Sequence, residues 1–186
     1  MKQLAVFASG TGTNFDAIAR ACADGVLDAR VAVMVCDRPG AAVIEKAERY
    51  GVDTFVFSPK EYPDKASFEA EIVKVLDAKK IDLVCLAGYM RIVGKTLLDA
   101  YEGRIINIHP SLLPAFKGAH AVEDAVAYGV KVYGITIHWV NADLDGGRII
   151  AQRAFESDGN DPAEVHRLGQ KIEHALYVET IAKLIR

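Results

Sequence analysis

The sequence lacks a cationic excess: 22 Lys and Arg stand against 25 Asp and Glu, a net charge of −3. Proteins that track a nucleic-acid backbone or an anionic membrane need a broad positive field, so neither partner is expected; a local patch could still hold one phosphate. Cysteine is scarce. Cys22, Cys36 and Cys85 are odd in number and far apart, and they read as buried thiols in a reducing compartment, not as a disulfide frame or a zinc site. No histidine pair has the HExxH spacing, and Cys and His do not cluster, so no metal is expected. No apolar run approaches the ~20 residues of a membrane span. The N-terminus, one lysine and a short apolar run before Ser9–Asn14, does not read as a signal peptide. There is no Gly-x-Ser-x-Gly elbow, which argues against an esterase. Linkers, repeats and low-complexity stretches are also missing. What remains is a foldable composition, 51% hydrophobic and 25% charged over 186 residues, which excludes a disordered or fibrous chain. It predicts one cytoplasmic globular domain over residues 1–186, large enough to bury a core without staples.

What is there alternates. Apolar runs of strand length at 4–8, 31–36, 54–57, 83–87 and 105–108 are separated by segments of helical period at 15–23, 41–50, 67–79 and 97–101. Continuous apolar strands with helical crossovers predict a mostly parallel α/β sheet, Rossmann-like, with helices on both faces. The second half changes character. After a helix at 122–128, two longer strands at 132–140 and 148–155 flank Asn141-Ala-Asp-Leu-Asp-Gly-Gly147, whose Asp-Gly is a hairpin signal. An antiparallel C-terminal extension is expected there, closed by a helix near Pro162 with Val165, Leu168, Ile172 and Leu176 along one stripe.

Three loci carry candidate chemistry. Ser9-Gly-Thr-Gly-Thr-Asn14 joins the first strand to the first helix; glycines there let backbone N–H groups face an anion at a helix N-terminus. The plainer reading is a tight turn with an N-cap. Phe15 replaces the third glycine of the dinucleotide fingerprint and no P-loop lysine follows, although Asp37 stands where a ribose-binding acid would, which keeps NAD open. The second locus is Asn107-Ile-His-Pro-Ser-Leu-Leu-Pro114, at the carboxyl end of a central strand, where open parallel sheets place ligands. Strand period 2 puts Asn107 and His109 on one face, an amide and an imidazole suited to an oxyanion and a proton. The alternative is a pair that only ties down the following loop. The third is Asp143-Leu-Asp145-Gly-Gly, where a carboxylate could orient an imidazole, or simply turn the chain. His120 and His138 read as packed or surface residues, and His166 and His174 as surface helix positions.

Together these stretches, with Leu86-Ala-Gly-Tyr-Met-Arg-Ile92 and Gly118-Ala-His-Ala121, resemble the folate-dependent formyltransferases over nearly the whole chain. Asn-x-His-Pro-Ser-Leu-Leu-Pro with a downstream Asp-Gly-Gly is a specific signature. Members acting on methionyl-tRNA carry a further tRNA-binding domain and the deformylases a regulatory one, and the length disfavours both. The resemblance implies the formyltransferase fold and transfer of a formyl group from 10-formyltetrahydrofolate, as co-substrate, to the amine of glycinamide ribonucleotide (GAR), without a metal. It implies that Gly12, Thr13 and Asn14 hold the GAR phosphate and that Glu173 contacts the same nucleotide. Met90, Arg91, Ile92, Val93, Asn141, Ala142, Asp143, Leu144 and Asp145 would line the folate pocket, largely through backbone, together with Asn107. Lys65 falls near a position where relatives carry arginine by the folate; lysine gives a point charge instead of a bidentate fork. Asn107, His109 and Asp145 are the catalytic residues so implied, with Asp145 holding His109 charged. Monomer and homodimer both stay open. So, from other classes, do a non-catalytic nucleotide-binding module and an NAD oxidoreductase.

Overall fold

The computed structural model describes all 186 residues. Seven strands form one sheet: β1 (Lys2–Phe7), β2 (Ala29–Cys36), β3 (Thr54–Val56), β4 (Leu83–Leu86), β5 (Ile105–His109), β6 (Val132–Trp139) and β7 (Ile149–Glu156). Their order across the sheet is β3-β2-β1-β4-β5-β6-β7. The first five run parallel, and β6 and β7 add antiparallel pairings, as the change in sequence character predicts. β1, β2 and β4 are apolar on both faces because both faces are covered, whereas edge strand β7 has no fully buried residue.

Six helices connect and cover the strands: α1 (Thr13–Ala23), α2 (Ala42–Arg49), α3 (Lys65–Ala78), α4 (Lys95–Ala100), α5 (Ala121–Tyr128) and α6 (Pro162–Leu184). On one face Phe15 and Ile18 of α1, Val43 and Ala47 of α2 and Leu176, Tyr177 and Ile181 of α6 pack on Leu4, Val6, Met34 and Ile106. On the other, Phe68, Ile72 and Leu76 of α3, Leu97 of α4 and Tyr101 just after it pack on Phe7, Val33, Val35 and Ile105. Each large side chain so buried contributes about 1.5–3 kcal/mol of transfer free energy.

Four helices begin earlier than sequence period alone places them, among them α4 at Lys95 and not Leu97 and α5 at Ala121 and not Val122. α3 starts at Lys65 and not Ser67, because Asp64 caps it by accepting the Ser67 N–H at 2.8 Å. α1 starts at Thr13 and not Phe15, directly after the left-handed Gly12. α6 starts where Pro162 fits, after Asp161 accepts the Ala163 N–H at 2.9 Å. No helix is long and apolar enough to cross a membrane.

Two features of this scaffold position a site. β1 and β4 are neighbours whose chains leave toward opposite faces, α1 on one and α4 on the other, so a crevice opens at their carboxyl ends. The apolar residues Ile106, Ile108, Ile135 and Ile137 of β5 and β6 turn toward the α1/α6 face. The alternate residues Asn107, His109, Thr136 and His138 therefore share the opposite face.

Candidate active site

The glycine loop is built around one obligatory position. Gly12 is buried at φ 71° and ψ 34°, and a Cβ there would lie 2.3 Å from Val43 Cγ2. α2 backs the loop further through Val43 N–H, which donates to Gly10 O at 3.1 Å. Gly12 offers α1 no side-chain cap, so the first N–H groups of the helix remain available to an anion. Asn14, in the first turn, donates from Nδ2 to Glu173 Oε2 at 3.0 Å, joining residues 159 positions apart. Its own Oδ1 is buried without a partner. The residues expected to hold a nucleotide are thus brought to one place.

The second group sits on the polar face of β5 and β6. Asn107 and His109 project together as the strand period predicts, and His138 lies directly across from Asn107. His138, read from sequence as merely packed or exposed, belongs to the site. Its Nδ1 lies 2.9 Å from the Trp139 carbonyl, which can only accept, so Nδ1 carries the proton and Nε2 is free to accept. Asn107 Nδ2 donates to that Nε2 at 3.3 Å, which fixes the amide's direction and leaves its second N–H unused. His109 follows the same logic. Its Nε2 donates to Phe116 O at 2.8 Å, and Nδ1 faces Asp145 Oδ2 at 3.6 Å. Both ring nitrogens therefore look at acceptors.

Asp145 reaches this face because the β6–β7 connection does not end as a two-residue turn. Residues 140–148 fold back across the sheet, and a Cβ on Gly147 would lie 1.6 Å from the Trp139 carbonyl oxygen. Asp145 adopts φ 49°, accepts the Gly118 N–H at 2.8 Å and lies 3.8 Å from His138 Nε2. It turns the chain and also faces the imidazoles, so both sequence readings apply to one residue.

The third group is the pair of loops at 90–93 and 141–145. Val93 is buried, whereas Met90, Ile92 and Leu144 expose more than half their surface. Asn141, Ala142 and Asp143 are exposed too, and Asn141 Oδ1 accepts the Asp143 N–H at 2.9 Å. Val93 and Val140, at the roots of the two loops, join one apolar cluster. Lys65, exposed on the first turn of α3, reaches the loop by donating from Nζ to Ile92 O at 2.9 Å. Glu69, one helical turn on, is 2% exposed and accepts N–H groups from Gly94 at 2.6 Å and Leu97 at 2.9 Å. Sequence reading missed Glu69; an acid on the apolar stripe of α3, beside Phe68 and Ile72, was the available signal. Asp37 is not open to a ribose. It is 7% exposed and held by Ser9 and Arg91, which removes the feature that kept NAD open.

His174 is half-buried and not a surface residue, with Nε2 buried and unpartnered. Burial lowers the pKa of His174 from 6.5, opposed by the nearby carboxylates of Glu173 and Asp16. Burial likewise lowers that of His138, opposed by the Trp139 carbonyl and Asp145. Below about pH 6.5 the unfolded chain takes up protons that these folded-state groups resist, so stability is lost as pH falls through that range. The lowered carboxylates of Asp16, Asp64 and Asp82 titrate lower still, below their ordinary 3.8. The melting temperature should therefore drop between pH 7.5 and 5.5, and His174→Gln should flatten that limb. A flat profile in the unchanged chain would contradict the assignment.

A family profile described as formyl transferase matches residues 2–181. The chain is 50% identical over 186 residues to the phosphoribosylglycinamide formyltransferase of Bacillus subtilis, covering 100% of this chain and 95% of that one. It superposes with a TM-score of 0.97 on a glycinamide ribonucleotide transformylase from Geobacillus kaustophilus, 52% identical with full coverage of both. The phosphoribosylglycinamide formyltransferase of Bacillus halodurans superposes with a TM-score of 0.95 at 49% identity, covering 99% of this chain and 95% of that one.

Proposed function

The chain belongs to the formyl transferase family, and on that premise we propose that it moves a formyl group from 10-formyltetrahydrofolate to the amine of GAR. This is a step of purine biosynthesis, placed in the cytoplasm and carried out by residues 1–186 as one catalytic domain on two small-molecule substrates. One observation carries the reading: half of all positions match a relative of that named activity along the whole chain.

The residues divide the work. The uncapped N-terminus of α1 at Gly12, Thr13 and Asn14 takes the phosphate through backbone N–H groups. Glu173 repels a phosphate, so it serves a hydroxyl or amine donor of the same nucleotide. The exposed apolar side chains of Met90, Ile92 and Leu144 flank the folate, and the backbones of Arg91, Val93 and residues 141–145 supply its polar contacts. Lys65 acts by anchoring the Ile92 carbonyl. The substrate amine is itself the nucleophile, so neither an enzyme nucleophile nor a metal is needed. No group of three or more His, Cys, Asp or Glu residues is placed to hold a metal ion. Attack on the formyl carbon puts negative charge on its oxygen. The unused N–H of Asn107 and the protonated ring of His109 stabilise that charge; His109 passes a proton to the departing folate nitrogen and regains one from the ammonium that the attacking amine has become, so no net proton is consumed. Asp145 faces the His109 ring across a 3.6 Å gap and offsets the positive charge there while the protons move.

The test is a difference-absorbance assay with a 10-formyl folate analogue. Deformylated folate should accumulate only when GAR is added. Release without GAR would make the protein a hydrolase, and no release in either case would overturn the reading.

A further inference from the structure

We propose that Asp37 is a positioning residue that couples the nucleotide loop to the folate loop; the inference rests on the assignment of those loops given above. β1 and β4 lie side by side, and their chains part into Ser9–Asn14 on one side and Gly88–Gly94 on the other. Backbone ladders end where such strands diverge, so beyond Ser9 only side chains can bridge the crevice. They do so here. Ser9 Oγ donates to Asp37 Oδ1 at 2.5 Å and accepts the Met90 N–H at 2.9 Å. Asp37 Oδ2 accepts from Arg91 Nε at 2.8 Å, while the Ser9 N–H to Gly88 O bond at 3.1 Å is a backbone bond at the root of the crevice, before the chains part.

Ser9 and Asp37 are 1% and 7% exposed. Keeping a carboxylate out of water is costly unless its lone pairs are satisfied, and an apolar residue could close the end of β2 instead. The side chains that satisfy it come one from each substrate loop: Ser9 from the nucleotide side and Arg91 from the folate side. The other anchors of the folate loop, Lys65 and Glu69, come from α3, and their hydrogen bonds go to Ile92, Gly94 and Leu97 and not to the nucleotide loop. A ligand that shifts or tightens Ser9–Asn14 thereby repositions Met90 and Arg91 as well, so the second ligand meets a loop already placed. Each substrate then tightens the other by the same factor.

The experiment measures affinities for GAR and for unformylated 5,8-dideazafolate, each alone and with the other saturating. In the unchanged chain the folate analogue should bind more tightly when GAR is present. Asp37→Asn should weaken the analogue about tenfold, as the loss of one charge-assisted hydrogen bond predicts, and abolish the enhancement by GAR. GAR alone should bind within about twofold of the unchanged chain, a split that general loosening of the fold would not produce. Ser9→Ala, which deletes one oxygen and introduces no new group, should act in the same direction and serves if Asp37→Asn does not fold. An enhancement unchanged in either folded variant overturns the proposal, as do equal losses for both ligands. An unchanged chain that transfers formyl groups without any enhancement overturns the coupling alone. Failure of the unchanged chain to transfer formyl groups falls on the functional reading instead.

Discussion

Asp145→Asn should lose about a hundredfold or more in turnover while melting close to the unchanged protein, since donors aimed at an oxyanion are commonly worth 10²–10³ in rate. Asparagine tolerates the φ of 49° found at this position, and its side-chain oxygen can still accept the Gly118 N–H. The turn therefore survives. What disappears is the negative charge facing His109 Nδ1. His109→Ala and Asn107→Ala should each fall by a comparable factor, mainly in kcat, because both act on charge that exists only in the transition state. The double variant His109→Ala/Asp145→Asn should be scarcely worse than its worse parent, since a carboxylate that acts through an imidazole has no role without it. Steady-state kinetics with both substrates, on variants shown to be folded, decide the matter. Near-native turnover in Asp145→Asn, or fully additive losses, would remove the coupled unit from the mechanism.

Gly12→Ala should weaken GAR binding about a hundredfold, which needs only ~2.8 kcal/mol. Two separate penalties supply it. A Cβ at φ 71° costs about 1–2 kcal/mol in backbone strain. It also lies 2.3 Å from Val43 Cγ2, so the loop must shift and the phosphate loses hydrogen bonds worth about 1.5–3 kcal/mol each. Adding Val43→Ala should restore only part of the affinity, because Val43 Cβ itself would remain 2.7 Å away and the strain is untouched. Titration calorimetry with GAR and with the folate analogue separates the outcomes. Loss confined mostly to GAR supports the loop assignment, and equal loss of both ligands counts against it.

Much of this architecture is local and was legible without coordinates. Runs such as Val31–Cys36 are too uniformly apolar for anything but a strand covered on both faces, and burial of every residue from Val31 to Cys36 follows. Asn107 and His109 share a face because strand period is a property of the chain itself. Gly10 and Gly12 marked a tight turn, although only the structure shows that Gly12 is the left-handed one. The motifs around Asn107–Pro114 and Asp143–Gly147 were specific enough to indicate the family before any geometry was known.

Other features depend on which segments meet. His138 enters the site because antiparallel pairing sets it opposite Asn107, with the ladder to β7 shifting register at Ile137/His138; no pattern within β6 states that register. Asp145 serves His109 only because a long connection folds back over a sheet face, a path that spacing cannot specify. Asp37 looked like a ribose acid by its place after β2, yet Ser9 and Arg91, 28 and 54 positions away, occupy both its oxygens. Glu69 and His174 looked ordinary on their helices until α4 and α1 were packed against them. Period and composition are written along the chain and act over a few residues, so the sequence determined the elements, the faces and the family. Register, loop path and the pairing of buried charges are set by contacts between distant segments, and only the folded structure decided them.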